Sequence, residues 1–254
     1  MIVLLSPAKT LDEGPSDVKK HSQIRFAEES DKLIKVLRKQ SLKNLKSLMN
    51  ISDNLAKLNA DRYITYDRPF TFDNAKQAIL AFKGDVYQGL EADTLEDEDL
   101  DYAQDHIRIL SGLYGVLRPL DMMHPYRLEM GTSLKVGRAK NLYEFWGSQI
   151  TTLINSDLES AKSDSILNLA SQEYFKAIKP EELNGKLINV HFKEKRNGKY
   201  KVISFNAKKA RGKMARQIII EKIKTVEDLK SLKVYDYRYN ADMSSDGELY
   251  FTID

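Results

Sequence analysis

Residues 2–5 read IVLL, a continuous apolar run stopped at once by Ser6-Pro7, and residues 165–170 read SILNLA. Apolar runs this short, without alternation, are the mark of buried strands rather than of helix faces. Around them lie longer helical patterns. AEESDKLIKVLRKQ places apolar residues at 33, 34, 36 and 37, and NLYEFWGSQITTLINSDL repeats Phe145, Ile150 and Ile154 with an interruption at Gly147. FTFDNAKQAILAF predicts a helix capped by Asp73, and Thr94 to Asp97 matches a capping box for a helix over EDEDLDYAQDHIRILSGL. KLINVHFKE and KYKVISFN read as strands paired across Asn197-Gly198, AKKARGKMARQIIIEKI as a helix, and VYDYRYN and ELYFTID as two closing strands. Strand and helix alternate irregularly, so the expected class is mixed α/β (α+β), without a regular doubly wound order. With 254 residues, 42% hydrophobic content, no repeat and no Pro, Gly or Ser-rich linker, a single compact domain over 1–254 is expected.

Charge is distributed unevenly along this chain. Between Phe192 and Gln217 ten Lys or Arg residues face one acid, Glu194, although the whole chain carries only +3. The surface is therefore polarised, which suits a polyanion. The acids of EADTLEDEDLDYAQD crowd the first turn of a predicted helix, where they favour its dipole, so that patch needs no metal to explain it. The chain has no cysteine, which excludes disulfides and thiolate chemistry, and MIVLLSPAKTL is too short and lacks the flanks for a signal peptide or membrane span. A cytoplasmic protein is expected.

Two short helical segments, LKNLKSLM and DNLAKLNAD, are joined by only Asn50, Ile51 and Ser52. Leu45, Leu48, Ile51, Leu55 and Leu58 have the spacing to pack such a hairpin at 41–61. A tight helical hairpin can offer backbone N–H groups to a phosphate, and Lys43, Lys46 and Lys57 supply cations nearby. Asn50 and Ser52 stand where such modules usually carry glycine.

The segment LSGLYGVLRPLDMMHPYRLEMG at 110–131 holds three glycines and two prolines and cannot be one regular element. Its Arg118, Tyr126, Arg127 and Glu129, with Lys9, Glu173, Tyr174 and Lys176, form the kind of polar set that converges at strand ends in α/β proteins. His21, His106, His124 and His191 have no metal-ligand spacing, and HExxH, GxSxG, P-loop and GxGxxG signatures are absent. GDVYQG and GLYGVLRP are too short and irregular for phosphate loops. No cofactor and no metal are expected. Trp146 reads as core.

SPAKTL (6–11), ISDNLA (51–56), QAILAFKGDVYQGL (77–90), LSGLYGVLRPLDMMHPYRLEMG (110–131), LYEFWG (142–147), NLASQEYFK (168–176), AKKARG (207–212) and SSDGELYF (244–251) follow one another in order. Through these blocks the chain resembles the YaaA family of bacterial peroxide stress proteins over essentially its whole length. The resemblance implies a cytosolic oxidative-stress protein linked with limiting damage from unincorporated iron. It also implies a mixed α/β fold of unusual topology, with a positively charged cleft and a DNA-binding helix-hairpin-helix element. It supplies no catalytic residues.

The resulting expectation is a non-enzymatic protein that binds double-stranded or structured DNA with little sequence preference, and meets no membrane. Phosphate contacts are expected from Lys46, Asn50, Ile51, Ser52, Asn54 and Lys57 of the hairpin and from Lys208, Lys209, Arg211, Lys213 and Arg216. The rival expectation is an enzyme acting on a phosphorylated or nucleotide-like small molecule. There Lys9, Arg118 and Arg127 would bind the anion, Glu129, Glu173 or Tyr174 would serve as acid or base, and Tyr126 and Lys176 would complete the pocket. The two separate on geometry: convergence of SPAKT, RLEMG, SQEYFK and AKKARG on one pocket favours the enzyme, and a duplex-wide open groove favours DNA.

Overall fold

All four residues of the IVLL run are buried, and the strand they form lies inside the main sheet. In the computed structural model, which describes residues 1–254, the chain begins with β1 (Ile2–Leu5), β2 (Thr10–Leu11), α1 (Ala27–Leu37), α2 (Leu42–Met49), α3 (Asp53–Thr65), β3 (Lys76–Gln77), α4 (Ala78–Ala81) and β4 (Phe82–Lys83). It continues through α5 (Asp85–Leu90), α6 (Asp97–His106), β5 (Ile107–Ser111), β6 (Gly115–Leu117), β7 (Met122–Met123), α7 (Leu142–Trp146), α8 (Gln149–Ser160) and β8 (Ser165–Asn168). The last stretch supplies α9 (Gln172–Phe175), β9 (Lys186–Arg196), β10 (Lys199–Lys201), α10 (Ser204–Ile220), α11 (Val226–Leu229), β11 (Arg238–Tyr239) and β12 (Glu248–Ile253).

The class is mixed α/β. An 8-stranded sheet runs in the order β11-β12-β9-β8-β1-β5-β6, with β10 paired on β9. β5, β1, β8, β9 and β12 are mutually parallel, and β6, β10 and β11 join antiparallel. From β1 the chain crosses to β5 on one side, whereas from β8 it passes to β9 on the other. β1 and β8 are neighbours, so connections diverge at their C-terminal ends and leave a crevice there.

Register assigns the faces. Val3, Ile107, Leu167 and Ile188 are cross-strand partners and share one face with Val190, Phe192 and Glu194. That face is covered by α10, whose Asn206 amide donates to Glu194 at 2.6 Å. Arg108 points to the other face, where its Nε donates to Asp157 of α8 at 2.6 Å and Arg25 bonds the same carboxylate at 2.7 Å. Burial alone would raise the Asp157 pKa, but the hydrogen bonds and charges of Arg108 and Arg25 outweigh it and hold the carboxyl below its ordinary value.

Several elements differ from their sequence readings for tertiary reasons. The predicted helix over 70–82 is only α4. Asn74 accepts the Thr71 N–H, Lys76 and Gln77 pair with β7, and the Gln77 amide donates to the carbonyls of Val18 and Lys20. The long helix predicted through 96–113 stops at His106, because Ile107–Ser111 are buried between β1 and β6 as a strand. Its N-cap is Glu96, without a side-chain cap bond, so the capping box from Thr94 does not form. Gly147, at φ 51°, separates α7 from α8. The strand read over KYKVISFN ends at Lys201, and VISF is not a buried strand: Ser204 opens α10, and Val202 and Phe205 stand exposed. Of VYDYRYN only Arg238–Tyr239 is strand. Trp146 is fully buried, with its indole N–H on the Gly112 carbonyl at 3.1 Å.

Candidate functional site

The crevice at the ends of β1 and β8 is a pocket of about 450 Å³. The segment after β1 contributes Ser6 to Thr10, the end of β4 and the start of α5 contribute Lys83 to Tyr87, the loop after β8 contributes Ser171, α9 contributes Glu173 and Tyr174, and α10 contributes Lys208 and Arg211. SPAKT, KGD, SQEY and AKKARG thus meet. Ser6 Oγ accepts the Ser171 N–H at 2.8 Å, joining the two loops, and the Tyr87 hydroxyl donates to the Ser6 carbonyl at 3.0 Å. RLEMG arrives second-hand: Lys9 bonds Glu129 at 2.7 Å, Arg127 bonds Glu129 at 3.0 Å, and Glu173 accepts the Gly131 N–H at 3.1 Å.

Close backbone contact places the helix. A Cβ on Gly212 would run into the Val86 carbonyl oxygen, and one on Gly89 into the Lys209 carbonyl oxygen, so α10 and α5 touch where neither has a side chain. This contact carries α10 against the pocket wall, with Arg211 on the pocket side. The Lys208 ammonium lies 3.7 Å from Asp85, and Lys83 lies 3.6 Å from Asp12. Arg211 has neither a hydrogen bond nor an ion pair within the protein, and its Nε is fully enclosed. Burial, with no acid to offset it, pulls its pKa below the ordinary guanidinium value.

The remaining predicted cations of α10 take other positions. Lys213 and Arg216 both reach Glu91, at 3.8 and 3.5 Å, and Arg216 also donates to the Leu90 and Glu91 carbonyls at the end of α5. Arg216 thus closes a helix C-terminus. Lys209 has no acid partner and lies 4.4 Å from the centre of the exposed Phe205 ring. The sheet divides the hairpin charges. In the ladder Lys199 lies opposite Arg196 and Lys201 opposite Glu194, without ion pairs to either lysine, so both share the face of α10, while Lys195, opposite Tyr200, projects to the other face with Lys193.

Of the other predicted pocket residues, Arg118 is bound to the buried Asp121 at 2.9 Å and to the Gln23 carbonyl. Tyr126 is buried with its hydroxyl on Ser111 at 2.6 Å. Neither Arg118 nor Tyr126 lines the pocket, and neither does Lys176, which ends α9. Lys83, Gly84 and Asp85 do line it but escaped the sequence reading, because GDVYQG has no phosphate-loop pattern. The signal available was Lys83-Gly84-Asp85 directly after the apolar AILAF.

The helical hairpin joins α2 and α3 through Asn50, which is left-handed at φ 50°. Ser52 caps α3 by accepting the Leu55 N–H at 3.3 Å, and Lys46 pairs with the exposed Asp53 at 2.8 Å. The Ile51 side chain is buried, while Asn54 and Lys57 are exposed. The packing differs from the predicted seam: Leu55 and Leu58 are exposed, and α3 buries Ala56, Asn59 and Tyr63 instead. A phosphate approaching this turn would meet the Asp53 carboxylate. No helix is long and apolar enough to cross a membrane.

Comparison with known proteins bears on the whole chain. A sequence model of the family described as peroxide stress protein YaaA matches residues 1–243. A curated protein of Shewanella amazonensis, described as a UPF0246 protein, is 51% identical over 246 residues, covering 96% of each chain.

Proposed function

Since this chain belongs to the YaaA family of peroxide stress proteins, we propose that it serves the peroxide stress response at DNA, holding the sugar-phosphate backbone with little sequence preference and so protecting it or assisting its repair. The observation that carries this reading is the unneutralised basic face of the β9–β10 hairpin and α10. Lys199, Lys201 and Lys209 have no acid partner there, and the exposed Phe205 stands beside Lys209. Cations interleaved with an exposed ring suit phosphate contact with stacking on an unpaired base. The helical α2–α3 hairpin is the weaker contributor, since Lys46 is engaged and Asp53 faces its turn.

This reading also gives iron a physical route. Iron(II) associates with DNA as a counterion, and cationic side chains that neutralise phosphates expel such counterions. The protein would then limit iron-dependent cleavage by displacement. If about five phosphates are neutralised, the logarithm of duplex affinity should fall with the logarithm of salt concentration with a slope of about −4 to −5. Combining Lys199→Glu, Lys201→Glu and Lys209→Glu should weaken every duplex sequence alike and flatten that slope. Salt-independent binding, or unchanged binding by this variant, would remove the proposal.

A second reading, an enzyme or carrier for a phosphorylated small molecule, is favoured by a different observation. Four sequence blocks far apart in the chain meet in a pocket of small-molecule size, at the place where open α/β sheets bind ligands. Of the acid/base candidates, Glu173 and Tyr174 line that pocket.

A further inference from the structure

Arg211 has an enclosed Nε and no partner in the protein, yet it lines a pocket. A guanidinium partly withdrawn from water, with its Nε enclosed and no counter-charge, costs folding free energy that an anion would return. Its planar fork fits two oxygens of one phosphoryl group, which a lysine does not. The surroundings narrow the rest of the ligand. Ser6 uses its oxygen to accept the Ser171 N–H, which leaves its own proton to donate, and Thr10 adds another hydroxyl. Glu173 spends one oxygen on Gly131 and offers the other as an acceptor. These groups match a hydroxylated body such as a sugar. About 450 Å³ holds a terminal phosphate with its sugar, whereas a duplex-internal phosphodiester would need the strand to enter and leave.

Resting on the second reading above, we propose that the crevice between β1 and β8 is a phosphomonoester site in which Arg211 binds the phosphoryl oxygens and Glu173 and Ser6 meet the attached sugar. The phosphomonoester has two sources with the same chemistry, a free sugar or nucleoside phosphate and the 5′-phosphate end of a DNA strand. The second would place a broken end in the pocket while the basic face holds the adjoining duplex.

The test titrates the intact protein with inorganic phosphate, ribose 5-phosphate and AMP by calorimetry, and with duplexes bearing a 5′-phosphate or a 5′-hydroxyl. Wild type should bind the free monoesters at one site, and Arg211→Gln should weaken that binding roughly 10- to 100-fold, the loss of charged hydrogen bonds. Glu173→Gln, which removes a like charge, should tighten inorganic phosphate several-fold and keeps the test informative if Arg211→Gln fails to fold. Tighter binding of the 5′-phosphorylated duplex, lost in Arg211→Gln, assigns the source to DNA ends. Equal binding of the two duplexes, with Arg211-dependent AMP binding, assigns it to free phosphates. Monoester binding that is the same in wild type and both variants overturns the Arg211 assignment and leaves the second reading standing. No monoester binding by wild type overturns both. The salt slope for duplex DNA reports on the first reading independently.

Discussion

Gly212 and Arg211 are neighbours in sequence with opposite demands, one needing no side chain and the other needing space for a long one. Gly212→Ala would force α10 off the Val86 carbonyl, and its backbone neighbour cannot rotate away. Overpacking of this kind costs about 1–3 kcal/mol, and more where backbone opposes it. The expected result is a lower urea midpoint with loss of monoester binding, since the same shift moves Arg211. A folded Gly212→Ala protein with wild-type stability would show that the helices separate freely. AKKARG was legible as a basic helix start, but nothing in it distinguishes the glycine as a contact point. That contact is made with Val86 of α5, more than a hundred positions earlier in the chain.

At the scale of elements, Glu194 holds the basic run together. It accepts from Asn206 at 2.6 Å, Tyr237 at 2.9 Å and Arg196 at 2.6 Å, tying β9 to α10 and to the segment before β11. Glu194→Ala strands a buried Tyr hydroxyl and an amide, so a loss of ~2–4 kcal/mol is expected in denaturant unfolding. Duplex binding should also weaken, because the hairpin and helix would no longer share a fixed face. The strands of IVLL and SILNLA were legible because continuous apolar runs require burial wherever they lie. β5 was not: IRILS continues the helical pattern of the preceding acids, and only its place between β1 and β6 makes it extended. Likewise 70–77 follows pairing with β7 and the Gln77 hydrogen bonds rather than its local preference.

The whole molecule should respond to acid in two steps. Burial lowers the pKa values of His106 and His124, more than their hydrogen bonds to backbone carbonyls raise them. Below the unfolded histidine value of about 6.5 the unfolded chain therefore binds protons that the folded chain refuses, and stability falls as pH drops through that window. Asp157 has a depressed folded pKa, so its contribution is present above the unfolded aspartate value of about 3.9 and is lost as pH falls through the folded one. Melting temperature should decline first below about pH 6.5 and again below about pH 4. Replacing His106 and His124 with Gln should flatten the first step, and a step that persists would assign it to other groups.

The sequence by itself determined the mixed α/β class, the strands that must be buried, the family through its ordered blocks, and the presence of a concentrated basic run. Tertiary structure decided which of those charges are free. Arg211 and Arg216 lie on one helix five residues apart, yet Arg216 is neutralised by Glu91 and the end of α5, and Arg211 is left bare in a pocket. Charge along a chain is a local property that composition records. Neutralisation is a distance between groups, and here the neutralising carboxylate comes from an element more than a hundred residues away.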